Sequence, residues 1–242
     1  MNQAHDLPTP ADTLDRPAAA RHLCLFDLDG TLIPVDSDHT FGSYMVDIGW
    51  ADGDTFRRRN DAFYADYQAG TLDLAAYVDF ATSVWRSRPL AEAEQARARF
   101  MAEVMQPHVL PPALELVRQH QARGDLVAIV TATNEFVTTP IAAAFGIDTL
   151  LAVNLEREPG GGWSGRIRGT PTFREGKVDR VHAWLAELGH RLDDFAHITV
   201  YSDSPNDLPL LELATEPVAT NPSPALEATA VARGWRILRL FS

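Results

Sequence analysis

Asp27 and Asp29, in Asp27-Leu28-Asp29-Gly30-Thr31, lie two residues apart directly after an apolar run. In an extended segment they face the same side. Carboxylates that close repel unless a cation lies between them or one holds a proton. The plainer alternative is a solvated turn, since Asp and Gly are common turn residues. A second acidic pair, Asp203 and Asp207, follows another apolar run in Tyr201-Ser202-Asp203-Ser204-Pro205-Asn206-Asp207. Here Ser204 can cap a helix, with Pro205 as its first residue and Asp207 as the reciprocal carboxylate of a capping box. Capping accounts for Asp207 but not for Asp203. Acids at two strand ends make a hard, oxygen-rich site that suits Mg²⁺. Lys177 is predicted close to a helix start, where the dipole disfavours a cation. It is either a surface lysine, offset by a Thr172–Glu175 capping pattern, or a neutralising charge for phosphate and a nearby Asp. Thr131 either ends a strand or, with backbone N–H groups before Asn134, holds phosphate oxygens.

The elements that must position these residues alternate along the chain. Strands are predicted over His22–Phe26, Leu126–Val130, His197–Tyr201, Pro217–Thr220 and Trp235–Leu238. Helices are predicted over Pro112–Arg123, Glu135–Phe145, Glu175–Leu188 and Asp207–Ala214. Throughout-apolar strands separated by helices predict a parallel sheet covered on both faces, with ligands at the carboxyl ends of the strands. From Ser37 to Gln106 no strong strand is visible. Phe41, Tyr44, Met45 and Ile48 share a helical face, as do Tyr77, Phe80, Val84 and Trp85, while Phe100, Met101, Val104 and Met105 suggest another helix. Gly160 to Gly165 is expected to join two short antiparallel strands, Val153–Arg157 and Arg166–Arg168. The expected fold is thus α/β, a Rossmann-like parallel sheet with a helical cap inserted after the first strand. Residues 1–20 form a leader, 21–36 and 107–242 the core, and 37–106 the cap.

The 242 residues carry 33 acidic and 21 basic side chains, a formal net charge of −12. That balance argues against nucleic acid or an anionic membrane as the main partner. A phosphorylated substrate is still compatible, because a metal ion reverses the local field. Cys24 is the one cysteine, expected to be buried, which suits a reducing, cytoplasmic setting. No apolar run approaches the roughly 18 residues of a membrane span. Met1 to Arg21, with three acidic residues and no apolar centre, does not read as a secretory signal.

Taken together, Phe26 to Thr31, Val130-Thr131, Lys177 and Ser202 to Asp207 resemble the four ordered motifs of the haloacid dehalogenase superfamily. The helical insert resembles the cap of its phosphoserine phosphatase-like branch. The wording around Lys177 and Tyr201-Ser202-Asp203 is similar to a bacterial group associated with phosphoserine or histidinol-phosphate hydrolysis. The resemblance implies that Asp27 attacks phosphorus and becomes an aspartyl phosphate. It implies that Asp29 protonates the leaving oxygen and later deprotonates water. Mg²⁺ would be held by Asp27, the backbone carbonyl of Asp29 and Asp203, and phosphoryl oxygens by Thr131 and Lys177. Asp207 would orient Lys177 or a metal-bound water, with Asn206 supporting the same loop. Asp29 favours phosphate esters over halides within the superfamily, because an alkoxide needs a proton to leave.

Two departures concern the substrate. Thr131-Ala132 stands where phosphoserine phosphatases often have Ser-Gly. Asp36 stands where they carry a longer Glu, and it either meets a substrate amine or caps the following helix. Arg57-Arg58-Arg59 either contacts a substrate carboxylate or forms a solvated helix face. The expected substrate is a small phosphorylated metabolite, histidinol phosphate or phosphoserine first. The alternatives are a broad-specificity sugar- or lipid-phosphate phosphatase and a phosphate-sensing scaffold without turnover.

Overall fold

The computed structural model describes residues 22–241; the expected leader lies outside them. Strand β1 (His22–Phe26) leads into four helices, α1 (Ser37–Asp47), α2 (Gly53–Ala69), α3 (Leu74–Arg86) and α4 (Leu90–Phe100). A π-helical turn (Met101–Met105) and a short 3₁₀ turn return the chain to α5 (Pro111–Ala122). Then follow β2 (Leu126–Asn134), α6 (Glu135–Ala144), β3 (Leu150–Val153), β4 (Leu155–Arg157), β5 (Trp163–Ile167) and α7 (Glu175–Glu187). The chain closes with β6 (His197–Ser202), α8 (Leu208–Leu211), β7 (Glu216–Thr220), α9 (Pro224–Arg233) and β8 (Arg236–Leu238).

Six strands form one sheet in the order β3-β2-β1-β6-β7-β8, and every neighbouring pair is parallel. The apolar runs are strands buried on both faces. In β1, Leu23 and Leu25 enter a core with Val181, Leu185, Leu210 and Leu226 of α7, α8 and α9. Cys24 and Phe26 point the other way, into a core with Val117, Phe136 and Ile141 of α5 and α6. Phe41, Met45, Val78, Trp85 and Phe100, from α1, α3 and α4, join that second core. Helix α2 contributes nothing to it; its Phe56 packs with Val46 and Phe80 in a separate small cluster.

Several expectations change. Thr131 does not end the second strand, which runs on to Asn134. Through Ile129, Val130 and, past an irregularity, Asn134 it pairs with β3, a strand the alternation did not predict. The antiparallel hairpin is real, but Trp163 to Gly165 belong to its second strand and the connection is shorter. The helix expected over Asp207–Ala214 is a 3₁₀ turn, Pro205–Asp207, followed by one turn of α-helix. Helices α2 and α9 were not predicted; α2 is polar on most of its surface and gives only a weak apolar stripe. Ile48 lies just past α1 and is exposed rather than on its buried face.

Candidate active site

β1 is central, with β2 and β6 beside it, so their carboxyl ends converge. The Asp27 amide donates to the Tyr201 carbonyl at 2.9 Å, extending the β1–β6 ladder to Asp27 itself. Asp27 is buried, and its Oδ1 accepts from Lys177 Nζ at 2.7 Å. Lys177 is only 1% exposed and also donates to Asp207 Oδ2 at 2.7 Å. The surface-lysine reading is therefore wrong. Burial alone would lower the Lys177 pKa, but the carboxylates of Asp207 and Asp27 outweigh it and hold the ammonium charged.

Neither proposed capping arrangement forms in full. Arg174, not Thr172, precedes α7, and the Thr172 hydroxyl is buried without a hydrogen-bond partner. Ser204 does accept from the Asn206 amide at 3.2 Å. Asp207, however, turns to Lys177 and to the Ser202 hydroxyl, 2.8 Å away, rather than back to its own helix start. Burial raises the Asp207 pKa to about 6, against the opposing pull of Lys177.

The Thr31 hydroxyl lies 3.2 Å from Asp27 Oδ2 and 3.3 Å from Asp203 Oδ1. One hydroxyl proton cannot satisfy both carboxylates. Gly30, at φ +78°, brings the loop so close that a Cβ there would stand 2.5 Å from Asp203 Oδ2. Burial, with Asp27 and Asp207 nearby, pushes the Asp203 pKa well up. Three carboxylates thus share one ammonium, Lys177. The donor set is hard oxygen and electron-rich, which fits a small dication. Among the described residues no three acidic, His or Cys side chains converge as a complete metal cluster. A site of two carboxylates completed by a backbone carbonyl does not require one.

Asp29 turns to different partners: Oδ1 accepts from the Ser37 amide at 2.7 Å, and Oδ2 from the Thr133 hydroxyl at 2.8 Å. Burial, then the negative charge of Asp36, raises its pKa to about 7. A carboxyl near neutrality can give a proton and take one back. Thr131 is buried, and its hydroxyl accepts from the Thr133 amide at 3.1 Å. Asp36 caps α1 by accepting from the His39 amide at 2.8 Å. Asn206 donates to the Tyr67 carbonyl at 3.1 Å, reaching α2 rather than only its own loop. Arg57 pairs with exposed Asp47, and Arg59 lies over the Phe63 and Phe80 rings, as a helix face rather than a carboxylate clamp.

Some residues beside the site escaped the sequence reading. Asn221, at φ +45°, donates to the carbonyls of Gly30 at 2.9 Å and Thr31 at 3.3 Å, clamping the first loop. Its only local signal is the Asn221-Pro222 turn. Arg174, at φ +52°, donates to the Gly70 carbonyl at the end of α2. Asp38 accepts from Asn134 Nδ2 on both oxygens, at 3.1 and 3.2 Å. These three are long-range contacts that spacing along the chain does not reveal.

A family model described as haloacid dehalogenase-like hydrolase matches residues 24–212. The chain is 41% identical over 218 residues to a histidinol-phosphatase of Neisseria meningitidis serogroup C (strain 8013), covering 90% of this chain and 98% of that one. It is similar to a crystal structure of a protein of unknown function from Bordetella pertussis Tohama I, with TM-score 0.86 and 47% identity, over 91% and 99% of the two chains. A substrate-bound phosphoserine phosphatase shares the fold at TM-score 0.64 and 19% identity, over 90% and 92%.

Proposed function

The chain belongs to the haloacid dehalogenase-like hydrolases as a phosphatase, and from that premise we propose that it hydrolyses a small metabolite phosphomonoester through an aspartyl phosphate on Asp27. The observation that carries this reading is the pairing of buried Asp27 with buried Lys177 at 2.7 Å, beside Asp203 and within one hydroxyl of it. The Asp27 carboxylate attacks phosphorus, and the bond to the leaving alcohol breaks. Asp29, protonated near neutrality, gives its proton to that oxygen. Asp29 then takes a proton from water, whose oxygen attacks phosphorus and frees Asp27. Lys177 neutralises the phosphoryl oxygens, with Thr131 beside them, and Asp207 orients Lys177. Asp27, Asp203 and the Asp29 carbonyl would hold Mg²⁺, which supplies the remaining charge neutralisation.

We read residues 37–106 as a cap over a core of 21–36 and 107–242. The buried, free Cys24 supports a cytoplasmic setting. Among the described residues no helix is long and apolar enough to cross a membrane. Histidinol phosphate is the leading substrate, because it is the activity named for the Neisseria relative. A panel of histidinol phosphate, phosphoserine, a sugar phosphate and p-nitrophenyl phosphate with Mg²⁺ tests this. The expected result is a clear preference for histidinol phosphate, and a loss of more than about a thousandfold in Asp27→Asn. Wild-type rates in that variant would overturn the nucleophile. A flat profile would favour broad specificity, and no turnover the scaffold.

A further inference from the structure

A cavity under α2 and α3 carries carboxylates that the phosphoryl chemistry does not use. It is lined by Asp36, Asp38, Tyr64, Tyr67, Tyr77 and Thr133, among others. Thr133 is the residue that donates to Asp29, so the cavity opens beside the proton donor for the leaving oxygen. A leaving alcohol protonated by Asp29 would project toward this space, which at about 30 Å³ must widen to admit it. No Lys, Arg or His lines it among the described residues. Lys177 is committed to Asp27 and Asp207, and His39 to Asp61 at 2.8 Å.

The two cavity carboxylates differ. Asp36 is used in turning the chain into α1, accepting from the backbone amide of His39. Asp38 lies within the first turn and makes no such cap. Its oxygens accept from Asn134 Nδ2, and the Tyr77 hydroxyl lies beside it. A carboxylate has about four acceptor positions, so these partners leave room for another donor. The side chain is buried, with no cation beside it. A buried carboxylate without a counter-charge is costly unless something positive arrives. The tyrosine walls suit an alkylammonium through their ring faces. A carboxylate on the ligand would meet only like charge here.

We propose that Asp38, held by Asn134 in a cavity that Tyr77 also lines, receives the primary ammonium of the leaving alcohol, so that the site selects amino-alcohol phosphates lacking a carboxylate. This assignment rests on the phosphatase reading of the site. Asp36 is then a helix cap, and Asp38 the residue that discriminates.

The test compares kcat/KM for histidinol phosphate with that for its deamino analogue, 3-(imidazol-4-yl)propyl phosphate, in the full-length enzyme with Mg²⁺. Wild type is expected to favour the amine, and Asp38→Asn to lower that ratio by about 10–100-fold. Tyr77→Phe, which keeps the ring, is expected to lower it less, chiefly through KM, and stands in should Asp38→Asn fail to fold. Phosphoserine is expected to be poorer than histidinol phosphate. An unchanged ratio in the variants, in an enzyme that turns over both esters, would overturn the role of Asp38 alone. Equal wild-type rates with phosphoserine and histidinol phosphate would overturn the exclusion of carboxylates. Failure of wild type to hydrolyse any ester would overturn this assignment together with the phosphatase reading.

Discussion

Asp29 and Asp27 sit two residues apart yet face different tasks because their surroundings differ. Asp27 meets an ammonium at 2.7 Å. Asp29 meets only neutral donors and the charge of Asp36, and its pKa rises to about 7. A nucleophile is best ionised, and a proton donor to an alkoxide is best protonated, so the environments match the proposed roles. Asp29→Asn is therefore expected to depend on the leaving group. Hydrolysis of histidinol phosphate should fall by about 10²–10⁴-fold. The formation of the phosphoenzyme from p-nitrophenyl phosphate, whose leaving phenolate needs no proton, should fall far less. Rapid-quench measurement of the first turnover with both esters checks this. Equal losses would remove Asp29 from proton transfer to the leaving group.

Among the elements, α2 stands apart. Helices α1, α3 and α4 put Phe41, Trp85 and Phe100 into the core beneath the sheet, and Trp85 stacks on Phe136 at 4.0 Å. Helix α2 adds its apolar side chains only to a small cluster; polar contacts such as Asn60 to the His39 carbonyl join it to α1, and Asn206–Tyr67 and Arg174–Gly70 tie it to the core loops. The cavity it covers has a free volume of about 30 Å³, room for a water or two rather than a metabolite. Access thus requires an element to move, and α2 has the least apolar burial to lose. Hydrogen exchange is expected to be faster in residues 53–69 than in 37–47 or 90–100, and faster still in Asn206→Ala. Uniform protection across the four helices would contradict this. The strands and most helices were legible because an apolar run buried on both faces has few other solutions. Helix α2 was not, since its burial is slight, and β3 was not, since Leu150–Val153 has only four residues. At the site, the residues at strand ends were legible. Asn221, Arg174 and Asp38 were not, because their partners lie 96 to 191 positions away.

Over the whole molecule, charge sets the pH response. The chain carries a net −12, and burial raises Asp29 and Asp38 to about 7 and Asp36 to about 6. In the unfolded chain each returns to about 3.9. A folded pKa above the unfolded one means that the stabilisation is complete below about pH 4 and is lost as pH rises through about 6 to 7. Without metal, Tm is expected to be higher at pH 5.5 than at pH 8, and Asp38→Asn should narrow the gap. Mg²⁺ should raise Tm at pH 8, since it binds the ionised, folded site. A metal-free Tm that rises from pH 5.5 to pH 8 would contradict these directions. The central claim, a phosphoryl group carried on Asp27, is tested most directly by acid-quenching the enzyme during turnover of histidinol phosphate with Mg²⁺ and mapping its peptides by mass spectrometry. The account predicts one added phosphoryl group, on the peptide containing Asp27 and absent from Asp27→Asn. Steady hydrolysis with that peptide never modified, or with the group on another residue, would contradict it.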